Sequence, residues 1–144
     1  PTHRLRAMLA MHAMFGLNSR TLLKLMRDKD ETLRGWAIQC ALEKKKTNKL
    51  ILDQLVKMAK EDKSKFVRLY LASALQRLPL AQRWPLAEAL VAHEADKDDH
   101  NLPLLYWYGI APLVPADKAR ALKLTTKTKI PLIRQYIVRR SAAK

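Results

Sequence analysis

The densest group of side chains with potential chemistry is the segment 93–100, HEADKDDH. Its carboxylates and imidazoles are groups that bind divalent cations in proteins. The segment lacks, however, the glycine and the terminal glutamate that a calcium-binding loop has at fixed positions. It also lies between two predicted helices, where acidic side chains can cap a helix start and stabilise its positive dipole end. The spacing therefore favours a structural turn over a metal site, and we expect neither a metal ion nor a cofactor.

The sequence has none of the short motifs that assemble common active sites. A nucleophile elbow, a phosphate-binding loop and an H-E-x-x-H helix are missing from it. The single cysteine, Cys40, excludes an internal disulfide and a C-x-x-C-H haem attachment site. We therefore predict no catalytic residues and a segment that is not an enzyme.

A weak internal repeat places arginine after an apolar residue near the start of four predicted helices. These residues are Arg6, Arg34, Arg68 and Arg134. Tyr106 occupies the same register in a fifth helix, because LPLLYWY (102–108) aligns with IPLIRQY (130–136) through a shared proline. Intervals of roughly 28 to 38 residues between successive copies are typical of helical solenoids.

Acidic residues precede the arginine at a similar offset in two copies. In spacing and residue type this pattern resembles the HEAT repeat. In that family a turn aspartate accepts hydrogen bonds from an arginine of an adjacent repeat, and bidentate geometry suits such pairs where they are partly desolvated. The resemblance implies a stabilising ladder through the stack, formed by Asp30, Arg34, Asp62, Arg68 and Arg134.

Apolar residues recur at helical spacing along nearly the whole chain, and sustained two-residue alternation is missing. Short connections would force neighbouring helices to lie antiparallel. The predicted fold is all-α, an α-α superhelix in which one unpaired helix precedes four antiparallel pairs. We expect residues 1–144 to form a single domain cut from a longer protein, because the first helix has no partner. The nine predicted helices are 2–14, 19–27, 31–43, 48–60, 64–77, 81–93, 101–111, 116–125 and 130–142.

Residues with helix-starting properties stand at the predicted breaks. A side-chain oxygen at each start could accept from the unpaired N–H groups of the first turn, and this predicts caps at Asn18 or Ser19, Asp30, Asn48, Ser64 and Asn101. Proline fits a first turn because its missing donor costs little there, which applies to Pro85, Pro103, Pro115 and Pro131.

The net charge of +15, from 28 Lys and Arg against 13 Asp and Glu, favours anionic partners. In a HEAT-type stack the second helices line one side, which predicts a candidate anion-binding surface at Lys65, Arg77, Arg139 and Arg140. Nucleic-acid binding through this surface is the alternative hypothesis, and a protein partner is the leading one. Basic runs such as 44–46 are more typical of solvated faces. No apolar run approaches the roughly 18 residues of a membrane span, so we expect no membrane insertion by this segment.

Aromatic residues cluster in two regions of the predicted helices. Trp36, Trp84, Trp107 and Tyr108 lie at helical spacing, which favours packing between layers over a stacking platform for sugars or bases. Tyr106 is the expected exception, because it stands where the other copies carry arginine.

Five stretches of the chain support a closer resemblance. They are HRLRAMLAMHAM (3–14), LRGWAIQ (33–39), VRLYLASALQRLPLAQRW (67–84), DDHNLPLLYWYGIAPLVPAD (98–117) and IPLIRQYIVRR (130–140). They resemble the HEAT segment of large planctomycete and verrucomicrobial proteins, the PVC-type membrane-bound dehydrogenase or haem-binding multidomain proteins. In that family a β-propeller resembling sugar dehydrogenases precedes the segment, and a c-type cytochrome domain follows it. The resemblance implies an exported protein in which this segment is a non-catalytic spacer between the two.

Overall fold

The structure, a computed structural model, describes residues 2–44 and 47–143. Over these two ranges the chain is helical and has no β-strand, so the predicted all-α class is confirmed. Lys45 and Lys46 of the predicted basic run lie outside the described residues. The helices are α1 (Thr2–Phe15), α2 (Ser19–Leu25), α3 (Glu31–Ala41), α4 (Lys49–Glu61), α5 (Lys65–Arg77), α6 (Leu80–Leu90), α7 (Leu102–Ile110), α8 (Leu113–Ala116), α9 (Lys118–Lys127) and α10 (Pro131–Ala142).

Each of the nine predicted helices has a counterpart among these segments. The four-residue α8 and a 3-10 turn at Glu94–Asp96 are additional. The turn falls in the acidic segment 93–100, where the sequence predicts an irregular connection. Pro85 lies inside α6 and not in its first turn, because α6 begins at Leu80. Proline has no N–H to donate to the carbonyl oxygen four residues earlier in the helix. Pro85 is exposed, so solvent can hydrate that carbonyl oxygen.

Short polar side chains begin four of the helices as predicted. An oxygen of each accepts from a backbone N–H in the first turn, and the four caps are Asn18, Asp30, Asn48 and Ser64. The predicted cap at Asn101 is wrong. Asp99 Oδ1 accepts instead, from the N–H groups of Asn101 at 2.9 Å and Leu102 at 3.1 Å.

The helices form two layers. In the first, α2, α4 and α6 pack side by side, and α9 joins α6 through Arg120 and Lys127, which both reach Glu88. In the second, α1, α3, α5, α7 and α10 pack side by side. The chain alternates between the layers, so α1 is followed by the pairs α2/α3, α4/α5, α6/α7 and α9/α10. This arrangement is that of an α-α superhelix, with a continuous apolar core between the layers.

Helix α7 lies unusually close to α5 at one point. A Cβ built on Gly109 would stand 2.5 Å from Leu75 Cδ2 and 2.6 Å from Leu75 Cγ. Leu75 is fully buried and has no free space into which to withdraw. Glycine at this position therefore sets the spacing between these two second-layer helices.

Candidate functional site

Arginines of the second layer bind carboxylates in the turn that precedes the next helix of that layer. Arg34 on α3 donates to both carboxylate oxygens of Asp62, at 2.7 and 3.1 Å. Arg68 on α5 donates in the same way to Asp96, at 2.7 and 2.8 Å. Arg4 on α1 is likewise bidentate on Asp28, so three such contacts join the four successive helices α1, α3, α5 and α7.

Arg34 and Arg68 also bind the turn that precedes their own helix, and Arg134 of α10 does the same. In each case a guanidinium Nη donates to the carbonyl oxygen six residues earlier, as Arg34 does to Asp28 (2.9 Å), Arg68 to Asp62 (3.0 Å) and Arg134 to Thr128 (3.0 Å). One side chain of α3 or α5 thus holds two consecutive turns of the stack together. We call these arginines and their carboxylates the turn ladder.

The structure places the predicted ladder residues unequally. Arg34, Asp62 and Arg68 make the contacts described above. Asp30 does not accept from an arginine, because its Oδ1 caps α3 by accepting from Thr32 N–H at 2.9 Å. Arg134 has no carboxylate within salt-bridge distance among the described residues, and its Nε donates to the Thr125 carbonyl oxygen at 3.2 Å.

Three ladder residues are missing from the sequence-based prediction: Arg4, Asp28 and Asp96. A signal for Asp28 exists in the sequence, because Asp28 and Asp62 both stand six residues before a ladder arginine. Asp96 breaks that register, but it stands 28 residues after Arg68, just as Asp62 stands 28 residues after Arg34.

The contact between Arg68 and Asp96 is the most buried part of the ladder. The Arg68 side chain is 4% exposed and that of Asp96 is 0% exposed. Tyr106 is fully buried as well, and its hydroxyl donates to Asp96 Oδ2 at 2.8 Å. The expectation that Tyr106 is the exception to packing between the layers is therefore wrong. Its hydroxyl binds the carboxylate of the charge pair, in the register where other helices carry arginine.

Tyr106 and Arg68 of this buried cluster both keep their protons at neutral pH. Burial raises the pKa of the Tyr106 phenol far above its usual range, and the neighbouring Asp96 charge adds to this. Burial lowers the pKa of the Arg68 guanidinium, but the hydrogen bonds and charge of Asp96 outweigh that effect and the net direction is upward. A buried ion pair of this kind is costly to break from one side, since the remaining charge has no solvent to hydrate it.

Two other residues of segment 93–100, Asp99 and His93, also bind groups of the protein itself. Asp99 caps α7, and the N–H groups of Asn101 and Leu102 that donate to it lower the pKa of its carboxyl group. His93 Nε2 lies within hydrogen-bond distance of the Ala59 carbonyl oxygen. Within residues 2–44 and 47–143 no group of three or more His, Cys, Asp or Glu side chains is placed to hold a metal ion.

The predicted anion-binding residues do not form one continuous surface. Lys65 and Arg77 stand at opposite ends of α5, and Lys65 Nζ lies 3.6 Å from Asp99. Arg139 and Arg140 are exposed in the last turn of α10. Helix α7 packs against both α5 and α10 and carries no charged residue, so it interrupts the basic character of this layer.

The solvent side of the second layer is instead apolar at its centre. Three neighbouring helices, α5, α7 and α10, expose large hydrophobic side chains there, and Tyr108 at 57% is the most exposed of them. Half-buried Trp107 lies beside Tyr136 of α10, with ring centroids 5.2 Å apart. We call this feature the outer apolar row and define it as Leu69, Leu104, Tyr108 and Val138.

Comparison of the chain with protein-family models, with curated proteins and with solved structures yields no match. Among the described residues, no helix has both the length and the apolar character needed to cross a bilayer.

Proposed function

We propose that this segment is a non-catalytic HEAT-type repeat module that holds a protein partner on its second layer. The observation that carries the proposal is the outer apolar row, which exposes Leu69, Leu104, Tyr108 and Val138 on three consecutive second-layer helices. Aromatic and aliphatic side chains of this kind form the energetic centre of protein interfaces. Large exposed apolar side chains gathered on neighbouring helices are typical of surfaces that bind another protein.

The turn ladder supports the same proposal because it fixes the spacing of α5 and α7, two of the helices that carry the row. Arg68 ties α5 to the turn that leads into α7, and Tyr106 of α7 binds the same carboxylate. A rigid row needs less ordering on binding than a mobile one, so more of its contact energy appears as affinity.

The resemblance to PVC-type proteins suggests which partners to expect. In that setting the row would contact the flanking dehydrogenase-like propeller or the c-type cytochrome domain, and the segment would set the distance between them. Export would follow from the same resemblance.

Site-specific photo-crosslinking in the full-length protein, in its own cells, tests this proposal. A photoreactive phenylalanine analogue replaces Tyr108 in one variant and Leu122, an exposed residue of α9, in the matched control. We expect crosslinks to a protein domain from position 108 and few or none from position 122. Equal yields at the two positions, or no crosslink at 108, would contradict the proposal.

A further inference from the structure

A wide cleft of about 1010 Å³ opens between α1, the start of the α2/α3 pair and α4. Its apolar lining residues include Leu23 and Leu50. Five of its side chains are cationic: Arg4, Arg20, Lys24, Arg27 and Lys29. The cleft belongs neither to the turn ladder's buried part nor to the outer apolar row.

Most of the positive charge in this cleft is not neutralised by the protein. The only carboxylate that lines it, Asp28, is bound by Arg4, and that hydrogen bond is the main reason why the pKa of Asp28 lies below its usual value. Among the described residues no carboxylate lies within 4.0 Å of the charged nitrogens of Arg20, Lys24 or Lys29. The cleft therefore attracts anions.

The spacing of three cations places them on the same side of α2. Arg20, Lys24 and Arg27 follow one another at intervals of four and three residues, in α2 and the turn directly after it, which is the spacing of one helix face. Arg27 is held in position because its Nε donates to Gln54 Oε1 at 3.1 Å. Arginine and lysine presented in this way suit the oxygens of phosphate groups.

Positive charge also occurs beyond the cleft, on two further helices of the first layer. Helices α2, α4 and α9 together carry nine basic and two acidic residues. Helix α6 carries one residue of each sign, and its acid, Glu88, is shared by Arg120 and Lys127 of α9. Positive charge on three helices matches an extended polyanion better than a small anion.

We propose that the first layer binds the phosphate backbone of nucleic acid independently of sequence, with the cleft at Arg20, Lys24 and Lys29 as its strongest point. This goes beyond the protein-binding role of the second layer and uses different residues. A phosphate backbone carries a charge at every nucleotide and can contact positive charge on several helices at once. The candidate basic surface at Lys65, Arg77, Arg139 and Arg140 is then not the main contact.

Three variants that each remove three positive charges test this localisation. The cleft variant is R20Q/K24Q/K29Q, the first-layer control is K118Q/K123Q/K129Q, and the second-layer control is K65Q/R139Q/R140Q. All nine positions are exposed, so the variants should fold, and far-ultraviolet circular dichroism checks that they do. Fluorescence anisotropy measures binding to a labelled DNA duplex of about two helical turns over a series of salt concentrations.

Wild-type protein is expected to bind with an affinity that falls steeply with salt. The cleft variant should lose on the order of tenfold in affinity at low salt, and its log–log salt slope should shrink by about 0.9 for each lost phosphate contact. Each control should change the affinity by less than about threefold. Equal losses in all three variants, or no binding of the wild type at low salt, would overturn the proposal.

A competitor separates nucleic acid from an acidic protein segment. Polyglutamate with the same number of charges is titrated against the complex of duplex and wild-type protein. Under the proposal it displaces the duplex at least tenfold less well than unlabelled duplex does. Equal potency would assign the cleft to acidic polypeptides and contradict a nucleic-acid site. None of these outcomes bears on the photo-crosslinking at Tyr108, so the two proposals can fail separately.

Discussion

The buried Asp96 carboxylate accepts three hydrogen bonds from two neighbouring side chains. It accepts from two nitrogens of Arg68 and from the hydroxyl group of Tyr106, all within 2.8 Å. These groups saturate the carboxylate, which is the condition under which a buried charge is tolerated. The arrangement also explains how a tyrosine can stand in the register of the ladder arginines: it supplies a donor where a second guanidinium would add an unmatched charge.

The contribution of the Tyr106 hydroxyl group can be measured directly. Tyr106→Phe removes one hydrogen bond to a charged acceptor and leaves the ring in place, so the free energy of unfolding should fall by about 2 kcal/mol. Tyr108→Phe is the matched control, because that hydroxyl lies on an exposed side chain, and its effect should stay within about 0.5 kcal/mol. Urea denaturation of the two variants and the wild type measures these changes in the free energy of unfolding. Equal effects would show that Asp96 does not depend on Tyr106.

Sequence reasoning at the residue scale succeeded where the signal was local. Caps such as Asn48 and Ser64 follow from residue type and position alone. Choosing Asp28 over Asp30 as the partner of an arginine depends on the three-dimensional turn, because Asp30 occupies the cap position and its side chain is already used by α3. Asp96 lies in a 3-10 turn, so the six-residue offset before a helix arginine does not select it, whereas the 28-residue interval from Arg68 does.

At the scale of helices, order and layer assignment follow from periodicity and short connections. The contact distances between helices do not, since they are set by single small residues. Gly109 illustrates this, because a side chain there would meet Leu75 of the neighbouring α5 at 2.5 Å. In a sequence such a glycine looks like a weak point in a helix, yet its value lies in the packing that it permits.

A double-mutant cycle tests the close approach of α5 and α7. Gly109→Ala alone should destabilise the chain by about 1–3 kcal/mol, because it overpacks a filled core. In a Leu75→Ala background the added methyl group has room, and the better helix propensity of alanine should make the same change neutral or stabilising by about 1 kcal/mol. Thermal or urea unfolding of the four proteins gives the comparison. The same cost in both backgrounds would contradict the packing explanation.

At the scale of the whole molecule, the two layers differ in surface chemistry. The second layer exposes its apolar row at α5, α7 and α10, while the first layer carries the cationic cleft at α2 and further positive charge on α4 and α9. The net charge of +15 could not be assigned to either layer from the sequence alone, because helices of both layers carry lysine and arginine. The ladder uses Arg34 and Arg68 in internal contacts, whereas among the described residues no carboxylate lies within 4.0 Å of the charged nitrogens of Arg20, Lys24 or Lys29.

Each repeat in such a stack is stabilised mainly by its neighbours, so contacts between repeats decide whether the chain behaves as one unit. The turn ladder is the polar part of those contacts, and Arg68 with Asp96 is its buried centre. Replacing either residue alone leaves the other charge buried without its partner, which should cost about 3–5 kcal/mol. For a chain of this length that corresponds to a lowering of Tm by roughly 10 °C or more.

The most direct test of the stacked architecture is the coupling energy between these two residues. Urea denaturation is carried out on the wild type, Arg68→Met, Asp96→Leu and the double variant. The loss in free energy of unfolding of the double variant is expected to be smaller than the sum of the two single losses by at least about 2 kcal/mol. Single effects that add to within about 0.5 kcal/mol of the double effect would mean that the two residues do not join the repeats, and would contradict it.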